Sequence, residues 1–356
     1  MQENSVSARK KVAVFGAGPS GLMAAQQLAQ LGYDVDVFEA KPSVARKFLL
    51  AGRGGLNITH SEDLSSFKTR YGDRADWVGP WLNVFSPEDL REWLLDLGME
   101  SFVGSSGRVF PKDFRAKGSL RLWLTKLHQL NISIFVNHRW LGYEAPFHKI
   151  QNDQGQILER QYDASVLAFG GNSYQHMGAD GKWTEAIDAL GVRRAAFKAS
   201  NVGFAVSWSA YFRDRFHGFP LKNIEVEFDG KTKRGEVMLT RYGIEGGAIY
   251  AQSARLRESV LSKDISTIYL DLKTGLSETE IIDRLKKGRG SKSLSSFLKG
   301  QLKLSPPAIA LLREFTSAEN LNDASLLART IKKCPVVITG IAPMDRAIST
   351  AGGITQ

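Results

Sequence analysis

The stretch that decides the fold is "KKVAVFGAGPSGLMAAQQLAQLGYDVDVFEA", residues 10–40. Val12 to Phe15 is a short apolar run suited to a buried parallel strand. It stops at Gly16, and Gly16, Gly18 and Gly21 then follow the G-x-G-x-x-G spacing, with Ala17, Pro19 and Ser20 between them. Ala24, Ala25, Leu28 and Leu31 recur at helical spacing, and Gly32 suits the position just past a helix end. Val35, Val37 and Phe38 form a second strand that ends in Glu39, followed by Ala40 and Lys41. Each glycine has an expected task. Gly16 permits the turn out of the strand, Gly18 leaves room for a pyrophosphate, and Gly21 allows close helix packing. The helix N-terminus offers N–H groups and a positive dipole end to phosphates. Glu39 stands where a carboxylate can accept hydrogen bonds from ribose hydroxyls. Strand, glycines, helix and acid in this order predict dinucleotide binding.

The next informative segment is "KFLLAGRGGLNITH", residues 47–60. Its glycine density argues against a helix over 51–60 and for a loop at the C-terminal ends of the strands, where ligands bind. Gly52, Gly54 and Gly55 would bring backbone close to a ring or phosphate. Lys47 and Arg53 offer positive charge to phosphates. Asn57 is placed either to meet a ring edge or to hold the loop in shape. Farther on, the strand Ser165–Phe169 ends at Gly170-Gly171, where close approach of backbone to a cofactor or substrate is again expected.

Composition limits the alternatives. The chain has 356 residues, 43% hydrophobic and 24% charged, which suits a globular protein of two or three domains. No apolar run reaches the roughly 18 residues of a membrane span, so no membrane partner is expected. "MQENSVSARKK" has no apolar core of a secretory signal. With Cys334 as the single cysteine, a dithiol–disulfide redox centre is excluded and a cytoplasmic location is expected. The six histidines show no paired ligand spacing, so no metal is expected. The net charge of +10 raises the question of a polyanionic partner. Much of it lies between Arg284 and Lys303, which reads as a solvated surface; only Phe297 interleaves as an aromatic, which weighs against nucleic acid.

Several segments resemble the bacterial aminoacetone oxidase-like, or BaiN/RdsA-type, NAD(P)/FAD-dependent oxidoreductases. "ARKFLLAGRGGLNITH" is similar to the family's "GRKLLISGGGRCNLTN", with Lys47, Gly52, Gly55, Asn57 and Thr59 in common. If gaps are not allowed, the family's Arg-Cys pair is replaced by Gly55-Leu56, and an arginine stands earlier, at Arg53. "GRVFPKDFRA" (107–116), "VLAFGGNSYQHMGADGKWTEAIDALG" (166–191), "GEVMLTRYGIEGGAIYAQS" (235–253) and "ITGIAPMDRAISTAGGI" (338–354) resemble four further family segments, in order. The resemblance implies an α/β fold with a Rossmann-like FAD-binding domain of the glutathione-reductase type, layered ββα. It also implies an inserted antiparallel β domain and a small helical domain. Residues 1–200 and 341–356 are expected in the FAD domain, 201–275 and 334–340 in the β domain, and 276–333 in the helical unit. Gly352 and Gly353 join the expected cofactor contacts. A family member continues past "STAGGITQ" through another glycine-rich segment, so this chain is expected to lack the C-terminal part of the FAD domain and to hold FAD weakly.

The function expected is hydride transfer between a small-molecule substrate and FAD. Without a second G-x-G-x-x-G, NAD(P)H enters as a diffusible reductant, alongside oxygen as the alternative redox partner. Tyr242 and Glu245 in "RYGIEGG" are the candidate catalytic residues, since the family segment faces the substrate side. A structural tyrosine and a solvated glutamate fit the same residues. Two other expectations stand beside this one: an RNA-associated flavoprotein resembling flavin-dependent tRNA modifiers, and a non-catalytic remnant of the fold. Substrate identity and oligomeric state are not legible.

Overall fold

The computed structural model describes residues 9–52, 55–112 and 116–355. The chain divides into two compact units: residues 1–170 with 175–192, and residues 171–174 with 193–356.

The first unit is built on a four-stranded parallel sheet. Its order is Ala164–Leu167, β1 (Lys11–Phe15), β2 (Asp34–Glu39) and Ser133–Val136. β1 lies inside the sheet, and its side chains alternate between two cores. Val14, with Val35 and Val37 of β2, faces α1 (Pro19–Gln30) and the helix Ala116–Gln129 through Leu22, Ala25, Trp123 and Leu127. Ala13, Phe15 and Phe38 face the opposite way, onto Trp140 and Ile150. Those two belong to an antiparallel sheet of Arg139–Glu144, Phe147–Gln151 and Ile157–Arg160. Two apolar faces on one strand explain why the run Val12–Phe15 lacks a polar alternate. The result is the three-layer ββα architecture of a Rossmann-like fold. In the helical layer, buried Gln26 accepts hydrogen bonds from Trp123 Nε1 at 2.8 Å and Trp93 Nε1 at 3.4 Å, so its carbonyl is not orphaned.

Local signals place many of the other elements. Pro87–Asp96 starts at the capping box of Ser86 and Asp89, and Glu278–Leu285 at that of Ser277 and Glu280. Asp229 and Gly230 both have positive φ (47° and 70°) and join the strands Pro220–Phe228 and Lys231–Thr240 in a two-residue hairpin turn.

That hairpin lies in the second unit, in a seven-stranded antiparallel sheet. The order is Cys334–Ile338, Ser266–Asp271, Pro220–Phe228, Lys231–Thr240, Gly243–Glu245, Phe204–Ala205 and Gly340–Ile341. The helices between residues 278 and 332 bury Ile281, Leu298, Leu311 and Ile331 in the same core as Val226, Leu239 and Val336 of the sheet. The expected β and helical parts therefore share one core. Residues 194–200 and 349–354 pair as a two-stranded antiparallel ribbon, also within this unit. Among the described residues, no helix is long and apolar enough to cross a membrane.

Candidate cofactor-binding site

The glycines of the fingerprint differ in what holds them. Gly16 has φ +106°, and a Cβ there would stand 2.4 Å from the Ala168 carbonyl oxygen. A Cβ on Gly21 would stand 1.8 Å from the Gly16 carbonyl oxygen. The fold itself thus forbids a side chain at both places. Gly18 is the opposite case: its φ of −77° suits any residue, and a Cβ would meet nothing within 4 Å. Open space therefore lies beside the backbone where α1 begins.

Gly18 caps α1 without a side-chain hydrogen bond, Pro19 has no N–H to offer, and no acid occupies the first turn. The N–H groups of Ser20 and Gly21 come too early in the helix to have intrahelical acceptors. The positive end of a 12-residue helix thus opens onto the vacant side of Gly18. That set of donors, with room beside it, fits a pyrophosphate.

Glu39 ends β2 half-buried. Its Oε2 accepts from Ala17 N at 3.0 Å and its Oε1 from Lys41 N at 2.8 Å. Gly16 N donates to Phe38 O at 2.8 Å, so both N–H groups leaving β1 are fastened to the end of β2. Each carboxylate oxygen keeps acceptor capacity for a ribose hydroxyl. Ala40 and Lys41 are half-buried; beyond them Ala45 N donates to Ala17 O at 2.8 Å, with Ala45 held at φ +52°. A left-handed alanine is strained by about 1 kcal/mol, and here it locks the connection onto the glycine loop.

The segment after β2 differs from its expected form. Arg46–Ala51 is a short helix, α2, so Lys47 stands on a helix rather than in a loop. Glycine density cuts the helix off only after Ala51. Burial pulls the Lys47 pKa below its usual value. Gly52 ends this helix against Ala116, whose Cβ would lie 2.2 Å from a Cβ at 52, so close packing already demands this glycine. Arg53 and Gly54 lie outside the described residues. Gly55 turns the chain with φ +107°. The side-chain amide of Asn57 donates to Thr59 O at 2.8 Å and Val109 O at 3.1 Å, which ties the loop to the strand Arg108–Pro111.

The remaining glycines also have packing tasks. Gly170 has φ +75° and accepts from Trp183 Nε1 at 3.1 Å. In the second unit a Cβ on Gly171 would meet Thr350 Cβ at 2.5 Å, while Asn172 N donates to Thr350 Oγ1 at 3.0 Å. Gly352, at φ +90°, faces the Ala196 carbonyl where the ribbon register shifts between Ala195 and Lys198; a Cβ would stand 2.3 Å from that oxygen. Gly353 has φ +105° with Phe197 at 3.8 Å from its Cβ position.

Tyr242 is exposed, and Arg346 stacks over its ring at 4.4 Å. Glu245 packs against Gly203, where a Cβ would stand 3.0 Å from the glutamate's Cβ. Sequence reasoning missed Tyr250, whose pKa is pushed up to about 12 by burial first and by the Glu245 charge second. It stays a neutral phenol, harder to ionise than an ordinary tyrosine. Its local sequence does not mark it, because the main cause is burial, and the Glu245 charge acts from the end of the strand Gly243–Glu245.

A family model, the HI0933-like protein Rossmann domain, matches residues 10–356. The chain belongs to the HI0933-like Rossmann-domain family. This is the family of BaiN/RdsA-type FAD-dependent oxidoreductases to which the sequence segments pointed. Among the curated relatives of this family member, the ribosomal RNA dihydrouridine synthase of Haemophilus influenzae is 23% identical over 292 residues, 80% of this chain and 70% of that protein. L-aspartate oxidase of Pyrococcus furiosus is 30% identical over 176 residues, 46% of this chain; the match spans only 37% of the oxidase. The solved structure of 3-ketosteroid-delta4-(5alpha)-dehydrogenase from Rhodococcus jostii RHA1 covers 100% of this chain and 88% of its own at 13% identity, with a TM-score of 0.45.

Proposed function

We propose that this HI0933-like protein transfers hydride between an unidentified small substrate and FAD, with NADH or NADPH as a diffusible reductant. One observation carries the reading. The open side of Gly18 coincides with the uncapped start of α1, while Glu39 is fixed beside it by Ala17 and Lys41. FAD, when bound, supplies hydride chemistry at its ring N5. The chain's own residues then have separable roles. Ser20 and Gly21 N–H groups donate to the pyrophosphate, and Glu39 accepts from ribose hydroxyls. Lys47 adds positive charge from α2, and Asn57 keeps the following loop in shape. In the second unit, Tyr242 and Glu245 are the candidates to supply or take a proton.

A second reading takes the substrate base within RNA. It is supported by the name of the Haemophilus relative and by the cationic segment Arg284–Lys303. Dihydrouridine is uridine plus a hydride and a proton, so such an enzyme consumes a reductant of the NAD(P)H class.

The test is anaerobic reduction of the purified protein. Bound flavin should bleach with NADH or NADPH and recolour on adding the true acceptor, tried from small carbonyl and imine compounds and from uridine-containing RNA. A protein that retains no flavin after reconstitution would end both readings.

A further inference from the structure

Between Arg284 and Lys303 the chain carries seven cations and no aspartate or glutamate. This segment alone supplies seven of the ten net positive charges. Lys286, Lys287, Arg289, Lys292, Lys299 and Lys303 are all exposed, and none enters an ion pair among the described residues. The segment's apolar residues point the other way. Leu285, Phe297, Leu298 and Leu302 are buried in the core. A membrane-surface helix keeps an apolar face free for lipid, and here no such face remains.

Phe297, the single aromatic of the segment, is thus a core residue and cannot stack on a base. The fold brings a different ring to the same place. The helix Ala210–Phe216 carries Tyr211 to the helices Leu294–Leu302 and Pro306–Phe315, and the three enclose an open cleft of about 380 Å³. Tyr211, Ser295, Ser296, Lys299 and Arg313 line it. Tyr211 is 55% exposed, and the Arg215 guanidinium lies 4.7 Å from its ring centre. The cleft's one acid, Glu314, is occupied: it accepts from Ser209 N, and its other oxygen accepts from Ser209 Oγ at 2.8 Å, so it holds the residue that caps the neighbouring helix. Lys299 and Arg313 face the cleft without an acidic partner among the described residues.

We propose that this face of the second unit is an RNA-docking surface. Lys286, Lys287, Arg289 and Lys292 track the phosphates in the stretch that leads into the helix Leu294–Leu302. Lys299 and Arg313 take a phosphate at the cleft, and an unpaired base stacks on Tyr211. Acid-free cationic backbone tracking with an aromatic platform beside it is how single-stranded RNA is held without base-edge reading. The proposal rests on the RNA reading of the substrate for the identity of the polyanion, but not on the chemistry at the flavin.

The test uses the full chain and a fluorescein-labelled RNA hairpin with a uridine-rich loop, followed by anisotropy. Five phosphate contacts, four along the tracking stretch and one at the cleft, predict a loss of affinity of about 100-fold between 50 and 200 mM salt. Replacing Lys286, Lys287, Arg289 and Lys292 together by Ala should cut that loss to about threefold, the share of the one cleft phosphate. Tyr211→Ala should weaken binding about tenfold and leave the salt slope unchanged. Unaltered thermal midpoints confirm that these exposed substitutions leave the fold intact. Wild-type affinity in the quadruple variant, or no RNA binding at all, overturns the proposal. So does equal binding to phosphatidylglycerol vesicles with no effect of Tyr211→Ala. Flavin reduction by NADH or by NADPH, measured on the same preparations, separates the two claims. Reduction without RNA binding removes the docking surface alone; RNA binding without reduction by either nucleotide upholds docking and removes the nicotinamide-reductant reading.

Discussion

Substituting Gly18 by Asp should move stability and cofactor affinity in opposite directions. A Cβ at this position meets nothing within 4 Å, and φ −77°, ψ 177° is an ordinary extended conformation, so the side chain enters without strain. Aspartate is also a better helix N-cap than glycine by a few tenths of a kcal/mol. Its charge beside the first turn of α1 adds about 0.3–1 kcal/mol. The flavin-free protein should therefore keep or slightly raise its thermal midpoint. A bound pyrophosphate would meet the new carboxylate at roughly 4 Å. One pair of like charges at that distance costs about 1 kcal/mol in bulk water and about 4 kcal/mol at an effective dielectric of 20. The FAD dissociation constant should rise by about fivefold to about a thousandfold. Titrating flavin-free protein with FAD, by quenching of flavin fluorescence at low and high salt, gives that constant. Gly18→Ala separates bulk from charge, since salt relieves only the aspartate. Affinity within twofold of the unsubstituted protein would place the pyrophosphate elsewhere; a fall in flavin-free stability would show that the space beside Gly18 is not open.

Gly21→Ala should lower the stability of the flavin-free protein, because the new methyl would lie 1.8 Å from a backbone oxygen. Overpacking of about 3 kcal/mol corresponds to a midpoint roughly 6–12 °C lower in the flavin-free protein, and a change under 1 °C would refute the steric account. His148 accepts from Trp140 Nε1 at 3.1 Å and is pushed down in pKa by burial, so it is held neutral. In the unfolded chain it takes a proton first, so stability is full above pH about 6.5 and falls as pH drops below that value. His148→Gln should flatten the denaturation midpoint between pH 7 and 5, and a slope identical to that of the unsubstituted protein would remove His148 as its source. Burial pushes the Cys334 thiol up to about 12 against 9.0 when unfolded. The unfolded chain therefore loses its proton first, so stability declines above pH 9 by about 1 kcal/mol per pH unit, toward 12. Iodoacetamide at pH 8 should label Cys334 only as fast as the protein opens, and rapid labelling of the native protein would contradict its burial.

Local chemistry was legible in the sequence, and contacts between distant residues were not. The order strand, glycine turn, helix, strand and acid is written in neighbouring residues, as are the Asp229-Gly230 hairpin and the capping boxes at Ser86 and Ser277. The tasks of Gly52, Gly171 and Gly352 depend on Ala116, Thr350 and Ala196, so their sequence neighbourhoods show flexible turns rather than tight contacts. α2 was hidden because Arg46–Ala51 runs directly into the glycines that end it. Tyr211 escaped notice for a related reason. The cationic segment supplies no usable ring of its own, and a helix from another part of the chain brings one.

The three fingerprint glycines answer to different masters, and that bears on descent. A lineage that stopped using its cofactor would still be held to glycine at 16 and 21 by its own atoms. Position 18 would be released, and the first capping residue to arise there would be favoured, since it would tighten the helix start. Drift at this single site would register the loss of the ligand before the fold showed any sign of it. The glycine still present at 18 is a residue the empty fold has no reason to keep.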